Sequence, residues 1–175
     1  QQLGHSVSII DIRQREKTYW YAWLIKKLIV GTRLKREMKL FYPDLTRRYY
    51  SIDELRMDPP NADCYIVGSD QVWNPNISKE LMLAYFLDFG SDKIRRISYS
   101  SSFGLMEWNI TSKDINSHIS TLLNSFYALS VREIQGYELC KREFGLEPKI
   151  VLDPTFLNYN YDEIHKTNTE NHTSV

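Results

Sequence analysis

Two rhythms of apolar residues run along this chain. Short apolar runs read as strands: Val7, Ile9 and Ile10, closed by Asp11, then Cys64–Val67, Arg96–Ser100, residues 128–131 and residues 149–153. Helical periodicity fills much of the rest. Residues 17–40 bring Trp20, Trp23, Leu24, Lys27, Leu28 and Gly31 to one face, and residues 111–126 carry the stripe Ile115, Ile119, Leu122, Leu123 and Phe126. Thr111 is placed to cap that second helix, with Asp114 in the capping-box position. A third helix is expected from Glu133 to Phe144, closed by Gly145. Residues 41–63 read as loop with a short helix stopped by Pro59-Pro60, and residues 79–89 mix helical and extended signals, with Tyr85–Phe89 a candidate strand. From residue 95 onward the order is strand, helix, strand, helix, strand, which predicts an α/β fold with a parallel sheet covered by helices.

Length and charge narrow the function classes. A chain of 175 residues is long enough for one α/β domain with a proper core and too short for two large ones. Lysine plus arginine and aspartate plus glutamate both number 22, so no global field draws the chain to nucleic acid or an anionic membrane; Lys35-Arg36 and Arg47-Arg48 read as solvated helix faces. No apolar run approaches a membrane span, because Lys26-Lys27 interrupts the best candidate. Cys64 and Cys140 have no metal-ligand spacing and read as buried thiols of a reducing compartment. No metal site is expected, and His5, His118, His165 and His172 are too scattered to nominate for catalysis. The sequons at Asn76, Asn109 and Asn171 carry no weight without a secretory leader. Gly4 reads as the residue closing a preceding helix, and residues 158–175 as a polar tail, so the chain reads as a piece of a larger protein.

In open α/β sheets, ligands bind beyond the carboxyl ends of the strands. Here those ends are Gly68-Ser69-Asp70-Gln71, Ser100-Ser101-Ser102-Phe103-Gly104, Arg132-Glu133 and Asp153-Pro154-Thr155, all polar or small. The types suit an anionic ligand. Gly68 and Gly104 allow close backbone approach, Ser69, Ser101 and Ser102 can donate to phosphate oxygens, and Arg132 can clamp a phosphate or carboxylate. Asp70 and Glu133 are the acids placed to move protons. Each residue also has a plainer role open to it. Asp70 could shape a turn, Arg132 and Glu133 could pair at a helix start, the serines could cap backbone, and Trp73 could be a packing wedge rather than a sugar platform.

The stretches "DCYIVGSDQVWNP" (63–75), "YFLDFG" (85–90), "RRISYSSSFG" (95–104), "ALSVREIQGYELCKREFG" (128–145) and "VLDPTFL" (151–157) resemble the polysaccharide pyruvyl transferase family in order and spacing. "QQLGHSVSIIDIR" (1–13) is similar to the family's segment after its first helix. The resemblance implies a Rossmann-like parallel sheet with flanking helices, forming one lobe of a two-lobe architecture like that of glycosyltransferase-B enzymes. On this reading residues 1–157 are the N-terminal lobe, lacking its first strand, and residues 158–175 a tail or the start of a second lobe. It also implies transfer of a pyruvyl group, as a ketal, from phosphoenolpyruvate to a sugar of a cell-surface polysaccharide or its lipid-linked oligosaccharide precursor. The donor is a substrate, and no cofactor is implied.

By the same resemblance Arg132 matches the arginine of a Val-Arg-acid motif and is expected to bind the donor's anionic groups. Gly68, Ser69, Asp70 and Gln71 would line the cleft, with Asp70 the candidate proton carrier; Ser101, Ser102 and Gly104 would form the facing loop, and Glu133 would orient Arg132. The chain departs from the family pattern in its serine run, where small apolar residues are common. The expected place is the cytoplasm, where the inner face of the membrane would offer a lipid-linked acceptor. Half a cleft could not exclude water, so the chain alone is expected to be inactive. Two other classes stay open: a lobe of a nucleotide-sugar glycosyltransferase, and a non-catalytic truncated binding domain.

Overall fold

Parallel strand pairing organises the chain. A computed structural model describes residues 4–14 and 44–157; the helix expected over 17–40 and the polar tail from 158 lie outside the described residues. Strand β1 (Ile9–Ile12) pairs in parallel with β2 (Leu45–Tyr49), with a register shift between Ile9 and Asp11. Asp11 locks that pair. Its carboxylate accepts from Arg13 Nε at 2.6 Å and Arg48 Nε at 2.8 Å. Burial works to raise the Asp11 carboxyl, but the two guanidiniums outweigh it and hold it below its ordinary value.

Strand β3 (Cys64–Val67) pairs with β4 (Arg95–Ser98) in uninterrupted parallel register, Cys64 opposite Arg95 and Val67 opposite Ser98. Strand β5 (Ser130–Val131) pairs in parallel with β6 (Lys149–Ile150). Between β4 and β5 the main chains meet only at isolated parallel bridges, Ile97 with Ala128 and Ser101 with Val131. Hydroxyls stitch the gap. Ser98 Oγ donates to the Ser130 carbonyl at 2.9 Å, and Ser130 Oγ donates to the Ser98 carbonyl at 2.7 Å. The expected parallel α/β fold is therefore present as short parallel sheets, and the carboxyl ends of β3, β4, β5 and β6 open on one edge.

The helices differ in detail from the sequence expectation. Residues 41–63 hold β2 as well as helix α1 (Ile52–Met57), whose N-cap Ser51 accepts from the Glu54 amide. Beyond β3 come α2 (Pro75–Ser78), a 3₁₀ turn (Lys79–Leu81) and α3 (Met82–Tyr85), so Tyr85 ends a helical turn rather than starting a strand. The apolar run from Tyr85 to Phe89 is a core loop with Leu87 at φ 56°, pinned by the buried Arg96 guanidinium. Arg96 donates to the carbonyls of Leu87 and Phe89 at 2.9 Å each. Helix α4 (Lys113–Asn124) is capped by Ser112 rather than Thr111, through a bond to the Ile115 amide. Of its stripe, Ile119 and Leu123 are buried and Ile115 is exposed. Helix α5 (Ile134–Leu139) runs into a π turn (Cys140–Phe144) that ends at Gly145 in the left-handed conformation.

Trp73 sits at the centre of the core with none of its surface exposed. Its ring stacks on Phe86 with centroids 5.4 Å apart and contacts Phe103 at 5.1 Å. Its indole N–H donates to the Tyr85 carbonyl at 2.9 Å, which ties the loop after β3 to the end of α3. The plainer of the two roles considered for Trp73 is the one the fold gives it.

Candidate functional site

The strand-end edge is built around the chain after Val67. Asp70 folds the backbone back on itself, its carbonyl accepting from Val72 N at 2.7 Å and its Oδ1 from Gln71 N at 2.7 Å. The Ser102 amide donates to the Asp70 carbonyl at 3.2 Å, and Trp73 N donates to the Ser102 carbonyl at 3.1 Å. The loops after β3 and β4 thus hold each other by main-chain bonds. Gly104 completes the contact: it has φ 57°, and a Cβ there would collide with the Gln71 side-chain amide.

Arg132, one residue beyond β5, crosses to the loop after β3. Its Nη1 donates to the Ser69 carbonyl at 2.9 Å and lies 3.6 Å from Asp153 Oδ2, while Nε reaches Glu133 Oε2 at 3.3 Å. The side chain is 35% exposed, and among the described residues Nη2 has no hydrogen-bond partner. Glu133 is the N-cap residue of α5 but does not cap it with its side chain. Its carboxylate instead takes the Ser102 hydroxyl at 2.6 Å. Ser102 Oγ in turn accepts the Gly104 amide at 3.0 Å. Asp153 is gripped by the Thr155 amide and hydroxyl at 3.0 and 2.8 Å. Those two bonds hold its carboxyl below the ordinary value, helped by the Ser69 hydroxyl and Arg132. A guanidinium thus lies between two carboxylates and a carbonyl, with one edge left over for a ligand.

The residues nominated from sequence fall into three groups. Ser69, Arg132 and Glu133 meet in one cluster, joined by Asp153. Ser101 and Ser102 are fully buried: the Ser101 hydroxyl donates to the Gly68 carbonyl at 3.1 Å, and Ser102 serves Glu133. Asp70 and Gln71 face a separate cavity of about 280 Å³. Its wall runs from Gln14, just past β1, through Asp70, Gln71 and Val72 to Leu81 and Tyr85. Burial pushes the Tyr85 phenol above its ordinary value, and the charge of Asp70 adds to that.

Sequence reasoning missed Gln14 and Tyr85 as members of this edge. Gln14 follows a strand whose partner β2 lies in a stretch that reads as loop, and Tyr85 opens a stretch that reads as a candidate strand. A conflict of periods at residues 79–89 was the signal available: helical turns there bring Tyr85 back toward the loop after β3. Among the described residues no cluster of histidine, cysteine or carboxylate side chains could hold a metal ion, and no helix is long and apolar enough to cross a membrane.

A family model described as polysaccharide pyruvyl transferase matches residues 1–174, essentially the whole chain. No curated protein and no solved structure matches it.

Proposed function

The chain belongs to the polysaccharide pyruvyl transferase family, and on that premise we propose that it carries the donor side of a site that moves the pyruvyl group of phosphoenolpyruvate onto a sugar. The observation that carries the reading is Arg132. It is an arginine held rigid at a shared strand-end edge by Ser69, Glu133 and Asp153, with Nη2 unspent. A donor with a phosphate and a carboxylate needs a fixed, planar, permanently charged partner, and a tethered guanidinium supplies one without further ordering cost.

The chemistry asks little else of the donor side. Protonation of C3 of the enol phosphate makes C2 oxocarbenium-like. One sugar hydroxyl attacks C2, the C2–O bond to phosphate breaks with its electron pair leaving on phosphate, and a second hydroxyl closes the ketal. Of the two hydroxyl protons released, one balances the new methyl hydrogen and the other leaves with phosphate. Asp70, with an exposed carboxylate already turned by the Gln71 amide, is the proposed proton carrier.

The reading takes residues 1–157 as one Rossmann-like lobe, supported by the parallel direction of every strand pair among the described residues. A second lobe that closes the cleft, an acceptor met at a membrane face and inactivity of this chain alone belong to the same proposal. Turnover by this chain alone would remove the need for the second lobe.

Calorimetric titration with phosphoenolpyruvate, and separately with a uridine diphosphate sugar, tests the reading. Binding of phosphoenolpyruvate that Arg132→Ala weakens by about tenfold or more supports it. Binding of the nucleotide sugar alone moves the chain to nucleotide-sugar glycosyl transfer, and binding of neither leaves a non-catalytic partner-binding role.

A further inference from the structure

The cavity beside Asp70 has a chemistry opposite to that of the Arg132 cluster. Among the described residues its wall carries one charged group, the Asp70 carboxylate, and no cation. From the described residues a phosphate-bearing donor would meet only like charge there. The remaining polar groups are amides and a phenol. Gln14 spends its Nε2 on the carbonyls of Ile77 and Ser78, at 3.2 and 3.0 Å, which fixes the amide and leaves Oε1 to accept. Gln71 Oε1 accepts from Asn74 Nδ2 at 3.3 Å, and its Nε2 has no partner among the described residues. Asp70 spends Oδ1 on the Gln71 amide and keeps Oδ2. Val72 and Leu81 supply apolar wall between these groups.

Fixed acceptors, an amide donor, a phenol and aliphatic surface in one small cavity are what a neutral polyhydroxylated ring needs. Its hydroxyls want both donors and acceptors, and its C–H faces want apolar contact. The volume, about 280 Å³, suits a single ring. Position argues the same way. The Ser69 carbonyl that anchors Arg132 belongs to the peptide leading into Asp70, so the cavity and the guanidinium are joined by that one peptide. A hydroxyl held at Asp70 would lie next to an anion held at Arg132.

We propose that this cavity is the acceptor subsite, taking one neutral hexopyranose ring with Asp70, Gln14 and Tyr85 as its hydrogen-bonding groups. The assignment rests on the pyruvyl-transfer reading for its biological sense, but not for its test. Tyr85 acts here as a donor: burial and the Asp70 charge keep its phenol protonated.

Saturation-transfer NMR on the full chain, with a panel of neutral methyl hexopyranosides, reads sugar binding directly. Phosphoenolpyruvate is titrated separately by calorimetry. Tyr85→Phe keeps the ring and the main-chain carbonyl that holds Trp73, and Asp70→Asn keeps the shape of the turn; unchanged near-ultraviolet dichroism certifies the fold of each. The expected result is a hexoside that binds the unaltered chain and binds each variant about tenfold more weakly, with phosphoenolpyruvate affinity unchanged in Tyr85→Phe. No hexoside bound by the unaltered chain, or sugar binding that neither variant weakens, overturns the proposal. So does loss of phosphoenolpyruvate binding in Tyr85→Phe, which would place the donor in this cavity. Sugar binding that depends on Tyr85, in a chain that ignores phosphoenolpyruvate, overturns the donor reading and leaves the sugar subsite standing.

Discussion

Arg132 donates from Nη1 to the main-chain oxygen of Ser69 across 2.9 Å, joining two loops that lie 63 positions apart in the chain. That bond does two things at once. It closes the gap between the ends of β3 and β5, and it fixes the guanidinium through Nη1, with Nη2 unpartnered among the described residues. Arg132→Ala should therefore weaken phosphoenolpyruvate binding by about tenfold to a hundredfold, the range of one or two charge-assisted hydrogen bonds. Arg132→Lys should recover little, because an ammonium cannot reach Ser69 and Glu133 while presenting a planar edge. Calorimetry on both variants checks this, and full affinity in Arg132→Lys would contradict it.

Ser102 is the buried support of that arrangement. Ser102→Ala removes the bond to Glu133 and leaves the Gly104 amide without its acceptor. The expected cost is about 1–3 kcal/mol, measured as a lower urea midpoint with an unchanged slope. Donor affinity should fall with it, since Glu133 is then free to swing away from Arg132 Nε.

Gly104 tests the fit between the two loops. Gly104→Ala places a side chain in the left-handed region and against Gln71. Backbone strain alone costs roughly 1–2 kcal/mol. Gln71 should be displaced, so sugar binding should weaken more than phosphoenolpyruvate binding does.

Trp73 anchors the whole loop. Trp73→Ala empties a fully buried site and should cost about 3–5 kcal/mol. Trp73→Phe keeps most of the stacking on Phe86 but orphans the Tyr85 carbonyl, for a cost of about 1–3 kcal/mol. The second variant should also loosen Tyr85, visible as weaker sugar binding in a chain that still folds.

Cys140 predicts a pH dependence. Burial pushes its thiol from 9.0 up to about 12. The folded state thus holds this proton where the unfolded state releases it, so the contribution to stability is full below about pH 9 and is lost as pH rises toward 12. Stability should fall across that window in the native chain and fall less in Cys140→Ala. A thiol reagent at neutral pH should label half-buried Cys64 before buried Cys140.

Local pattern was enough to specify much of this protein. The β-strand at Cys64–Val67, the helix ending at Gly145 and the cluster of polar strand ends follow from apolar runs, glycine placement and the order of elements, which are properties of neighbouring residues. The family resemblance rests on the same short stretches, and the family match agrees with it. What the sequence could not decide was partnership. Arg47-Arg48 sit in a strand because β1 offers Asp11 to pair with, and Ser98 and Ser130 are ladder residues because each faces the other's carbonyl. Residue type and position place Asp70 and Arg132 at one edge; in the fold Asp70 lines the cavity with Gln14 and Tyr85, and Arg132 is held by the Ser69 carbonyl. Residue type and spacing name the groups an edge can offer. Which group is spent on the fold and which is left for a ligand depends on contacts between distant segments, and only the tertiary structure sets those.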